Sequence, residues 1–340
     1  MQKYLKTDQQ ALNWGIIFSA LLALSIIFMG AQQATLELEP NPGIGQIHYE
    51  WQLANPTPWS QVTIWLGFVL HQLAVWATIY YARKQNLKYS DTLRPINYWA
   101  LGINAVFCIL HYLQTLVFYD SMAQYIPSGI AQWAVIFMLV IILALENNRR
   151  GLFFGKKVPF KQEFIRWLKD YHGYIFSLAV IYTFWYHPMV VTAGHLFGFF
   201  YVMLVMVQGS LMFTRAHLNK NWKLLLEVLV LPHAAYVAYL QGGSIIYMFM
   251  FGFMGMFVVT QMHGVGLKSW VKNLFLLVFV GLVAYVYFVM REPRYLNEVI
   301  RIPSVEYLTI FVIYGVWWVA TWTASRFKTL RSHKPIAAGD

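Results

Sequence analysis

Stretches of about twenty residues with almost no charge follow one another along the chain, separated by short segments that gather nearly all of the Lys and Arg. A hydrocarbon layer about 30 Å thick is crossed by roughly 20 helical residues, so each such stretch is long enough to span one. Ten qualify: 12–31, 60–82, 96–119, 129–146, 173–190, 192–214, 223–241, 243–264, 273–290 and 305–325. The predicted fold is therefore all-α: a polytopic integral membrane helix bundle of about ten transmembrane helices, one transmembrane domain over residues 1–340. The fifth and sixth spans meet between His187-Pro188 and Gly194, where Pro and Gly favour a tight turn over one long bent helix.

Lys and Arg are retained on the cytoplasmic side of short loops, so their alternation sets an orientation. With the N-terminus inside, 22 of the 25 basic residues fall on inner segments. The outer segments hold only Arg291, Arg294 and Arg301, facing Glu37, Glu39, Glu50, Asp120, Glu292, Glu298 and Glu306. Both termini are thus expected to be cytoplasmic, in a plasma (inner) membrane. The same partition accounts for the formal net charge of +11, which reads as an insertion signal and an attraction to anionic headgroups, with no nucleic acid as partner.

Composition agrees. Only 11% of residues are charged, against roughly 25% in ordinary globular proteins, and 59% are hydrophobic. The single cysteine, Cys108, rules out an intramolecular disulfide. The longest connections, 32–59 outside and 147–172 inside, are too short for an independent core. The outer one is expected on the membrane surface. The inner one places Phe160, Phe164, Ile165 and Leu168 at helical spacing, which suggests a short helix in the headgroup plane.

Ionisable groups at bilayer depth are costly and mark function. No Lys, Arg or Asp lies in the middle of a span, and the carboxylates read as lying within one are Glu146 and Glu227, near the inner face. That lowers the weight of an ion-coupled carrier, and without a mid-span lysine a retinal Schiff base is excluded. Phosphate-loop, dinucleotide, H-E-x-x-H and G-x-S-x-G motifs are absent as well.

Histidines remain. At 1.5 Å per residue, His71 and His233 fall near the midplane of the second and seventh spans, at the matched depth that bis-imidazole haem ligation requires. His111, His187 and His195 fall in the outer third of three helices, and three imidazoles at one depth suit a metal site with an open position for Zn, Cu or Fe. Asn97, Asn104 and His111 are spaced by seven with Cys108 between them, a polar stripe that should face protein. His172, His217 and His263 lie at the inner boundary; for His217 and His263 interface hydrogen bonding is expected, and a polar site with Glu227 is the alternative. The ordinary explanation of any one of these histidines is a neutral ring bonded to a neighbour.

Three functions follow as expectations. The first is haem or transition-metal binding for electron transfer or oxidoreduction, with a quinone or lipid as candidate substrate. The second is a carrier or channel for a hydrophobic or neutral solute, lined by His71 and His233. The third is a membrane-embedded transferase acting on lipid-linked substrates with a histidine as general base, which needs access from headgroup depth and so favours the outer trio.

Overall fold

The computed structural model describes residues 6–40, 49–240 and 245–332, so His48 and His333 lie outside the described residues. Ten long helices carry the described fold: α1 (Asp8–Ser25), α2 (Pro58–Lys84), α3 (Pro95–Phe118), α4 (Ser128–Arg150), α5 (Gln162–Tyr186), α6 (Ala193–Ser210), α7 (Lys220–Leu240), α8 (Ile245–Val259), α9 (Ser269–Tyr285) and α10 (Glu298–Ser332). Among the described residues β pairing is limited to four isolated bridges. Among the described residues eight helical stretches are long and apolar enough to cross a membrane, and α4 and α5 are the long helices outside that set. In α5 the first turns carry Glu163, Arg166, Lys169 and Asp170, which lowers its hydropathy.

Helix starts follow local chemistry. Thr7 closes a capping box with Gln10, and Thr57 caps α2 by accepting the N–H of Ser60, with Pro58 at the first helical position. The Asp8 carboxylate accepts the backbone N–H of Ala216 at 2.7 Å, tying α1 to the segment after α6. Many large apolar side chains stay exposed, among them Phe28, Leu73, Val117, Leu277, Val289 and Leu308. An apolar exterior of this kind suits a lipid surround.

α2 packs on α3 and α5, while α6 touches α1, α3, α5 and α7. α8 lies against α7, α9 and α10, and α10 returns to α4. Helices α4, α5, α6, α7, α8 and α10 therefore close a ring through successive contacts.

Two expectations are corrected. The apolar positions of the inner connection do not build a separate headgroup-plane helix. Phe164, Ile165 and Leu168 belong to α5 itself and are buried in a core with Val140, Ile141 and Ala144 of α4 and Ile310 of α10. Helix packing took the apolar face that the sequence offered to headgroups. The second correction concerns Glu306, placed outside by the alternation of charge. The Tyr307 hydroxyl donates to the Leu152 carbonyl at 3.1 Å and lies 2.6 Å from Thr260 Oγ1, and Trp317 packs on Phe164. Those contacts set this part of α10 beside residues expected on the inner side, and Glu306 is buried at 4% exposure.

Candidate functional site

Pro188 cannot continue α5, so the chain turns over residues 187–192 and restarts at Thr192, whose side chain caps α6. This hairpin brings the rings of His187 and His195 to 5.6 Å. Between them stands the hydroxyl of Tyr49, 2.8 Å from His187 Nδ1 and 3.2 Å from His195 Nε2. The ring of Trp51 meets His195 edge-on at 4.4 Å. Both aromatics come from the connection between α1 and α2, which thus reaches into the bundle.

Burial, with Tyr119 and Tyr186 adding to it, holds the Tyr49 phenol well above the ordinary tyrosine value. The hydroxyl is therefore neutral and carries one proton. It donates to one imidazole and accepts from the other. Thr192 Oγ1 lies 2.8 Å from His195 Nδ1 and accepts the His195 backbone N–H at 3.2 Å. Thr192, His195, Tyr49 and His187 consequently form one hydrogen-bonded chain, in which each bond polarises the next.

His111, third of the outer trio, turns aside. Its Nε2 donates to the His187 carbonyl at 2.9 Å, which leaves Nδ1 as a buried lone pair without a hydrogen bond. The Gln114 amide lies beside the ring, close enough to interact with it but outside ordinary hydrogen-bond geometry. No shared centre forms from His111, His187 and His195: one ring is spent on a carbonyl, and the facing nitrogens of the other two are bridged by Tyr49. Among the described residues no group of three or more His, Cys, Asp or Glu is placed to hold a metal ion.

The midplane pair divides. His71 receives the Trp185 indole N–H on Nδ1 at 3.2 Å and bonds Asn104 Oδ1 through Nε2 at 2.8 Å. The Asn104 amide in turn donates to Ser210 Oγ at 2.8 Å. Both nitrogens of His71 are engaged, so neither is free for haem iron. His233 sits on α7 beside Pro232, against Phe197 and Gly198, within electrostatic range of His187 and His195, and its Nδ1 is buried without a partner. The expected polar stripe does face inward: Asn97, Cys108 and His111 are all buried. His172, His217 and His263 bond the carbonyls of Lys169, Gln208 and Val258, and Glu227 pairs with Arg150 instead of joining them.

A cavity of about 170 Å³ opens between α1, α3 and α6, lined by Trp14, Gly15, Gly102, Asn104 and Cys108 among others. Its walls are apolar and Asn104 links it to His71. No family model matches the chain, and no curated protein or solved structure does so either.

Proposed function

We propose that the chain is an integral membrane protein of about ten spans in a plasma (inner) membrane, and that its His–Tyr chain is the acid–base centre of a transferase acting on a lipid-linked substrate. The gathering of Lys and Arg on alternate connections supports the span count and a cytoplasmic N-terminus. The observation that carries the enzymatic reading is the Tyr49 hydroxyl held between His187 and His195. A general base must reach a substrate presented at headgroup level, a need that favours the outer histidines, by their expected depth, over the midplane pair.

In this reading an acceptor hydroxyl gives its proton to an imidazole of the pair as its oxygen bonds to the group carried by the lipid. The bond between that group and the carrier oxygen breaks, and Tyr49 protonates the departing oxygen. The proton taken from the acceptor returns to Tyr49 through the imidazole. The test is turnover of radiolabelled lipid-linked substrate in vesicles. Loss of turnover in Tyr49→Phe and His195→Ala, with retention in His71→Gln, supports the reading; full turnover in both site variants refutes it.

A second reading, haem or a transition metal (Zn, Cu or Fe) with a quinone as redox partner, is favoured by one observation. His111 Nδ1 and His233 Nδ1 are buried and make no hydrogen bond of ordinary geometry, and His187 lies within electrostatic range of both rings. An absorption spectrum of the purified protein, oxidised and then dithionite-reduced, together with elemental analysis, decides it. A colourless, metal-free, folded preparation from cofactor-replete cells overturns it. The carrier reading has less support, since His71 is locked between Asn104 and Trp185.

A further inference from the structure

A buried guanidinium stands among carboxylates inside the ring of six helices, away from the His–Tyr chain. Arg150, the last residue of α4, pairs with Glu227 of α7, and their side chains are only 1% and 5% exposed. Glu306 of α10 is 4% exposed and within electrostatic reach of both. Among the described residues no cation lies within 4 Å of it to pair with. Arg150 Nε is itself buried with no hydrogen bond.

The other groups facing this centre do not supply the missing charge. Tyr201 of α6 faces Glu227, and the Tyr307 hydroxyl is tied to Thr260 and Leu152. The nearby Glu146 is already served by Arg149 and Lys223. One cation therefore meets two carboxylates. Fully ionised, the centre would keep an uncompensated negative charge in a medium that solvates it poorly. One proton on a carboxyl makes the centre neutral, and Glu306, the carboxyl without an ion pair, is the one placed to hold it.

We infer that Arg150, Glu227 and Glu306 form a proton-binding site in which Glu306 carries one exchangeable proton at neutral pH. Pro303 lies one turn before Glu306 and removes a hydrogen bond from α10, so the helix has a point at which to yield when the proton leaves. This site gives the protein a means of coupling to protons whatever chemistry the histidines perform.

The test is infrared spectroscopy of the full-length protein in detergent, in water and in deuterium oxide. Wild type at pH 7 is expected to show the carbonyl stretch of a protonated carboxylic acid, lost in Glu306→Gln and kept in Asp120→Asn. The band should vanish at alkaline pH and be indifferent to replacing choline chloride by sodium chloride. Absence of the band from wild type, or its persistence in Glu306→Gln, overturns the inference. A band abolished by sodium at constant pH also overturns it, by making a monovalent metal cation the ligand. If Glu306→Gln fails to fold, Glu306→Asp must shift the band's frequency, and an unshifted band has the same force against the site.

Discussion

The indole of Trp185 joins two histidines that lie on different helices: its N–H donates to His71 Nδ1 at 3.2 Å while its ring packs 4.5 Å from that of His111. Trp185 thereby fixes the tautomer of His71, because a ring nitrogen that accepts carries no proton. Asn104 Oδ1 must then receive the proton on Nε2.

Trp185→Phe is expected to keep the fold and to lose about 1–3 kcal/mol through the unsatisfied His71 nitrogen. Denaturant or thermal unfolding in detergent measures it. Stability equal to wild type would mean that the indole N–H is not bonded as described.

Gly67 is the floor on which that indole rests, since a methyl group there would overlap the six-membered ring of Trp185. Gly102 has nothing within 4 Å of the same position. Gly67→Ala should cost about 1–3 kcal/mol by overpacking. Gly102→Ala should be neutral or gain up to about 1 kcal/mol in helix propensity. Equal losses in the two variants would contradict the packing.

Asp120, between α3 and α4, supplies a pH dependence. Burial raises its carboxyl above the ordinary value, outweighing hydrogen bonds from Tyr125 at 2.8 Å and the Ser121 N–H at 2.7 Å. The unfolded chain ionises at about pH 4 and the folded protein only at a higher pH, so the favourable contribution is complete below about pH 4 and fades as pH rises through the folded value. The stability of wild type relative to Asp120→Asn should therefore fall as pH rises from about pH 4 and level off once the folded carboxyl is ionised. Tm measured across that window checks it, and a difference that grows with pH would reverse the sign.

Cys108 is 2% exposed, with its sulfur 3.8 Å from that of Met206. Inert burial predicts that a thiol-reactive maleimide leaves the folded protein unlabelled over the time in which it fully labels the unfolded chain. Mass spectrometry reads the result, and rapid labelling of the folded protein would place the thiol in an open groove.

Much of the helical framework was legible in the chain, because an apolar run of fixed length leaves little choice of secondary structure and because Pro188 and Gly194 mark a turn. The inward stripe of Asn97, Asn104, Cys108 and His111 was legible too, since helical periodicity alone places them on one face. Depth along a helix gives the level of a side chain but not its azimuth, which is why His71 and His233 were expected together and instead keep separate company. Tyr49 carried no signal: a loop residue at no fixed spacing from its partners acquires them only in three dimensions. Glu306 was misread for a related reason. Alternating charge assigns a residue to a side, whereas the contacts of Tyr307 with Leu152 and Thr260 depend on how α10 runs past its neighbours.

The bridging phenol belongs to the connection between α1 and α2, outside the helices, and so is anchored differently from the histidines it joins. His187 and His195 are held at the facing ends of α5 and α6, whereas Tyr49 and Trp51 are held by loop backbone. The hydrogen-bonded link between the two imidazoles thus depends on a residue that neither of their helices carries.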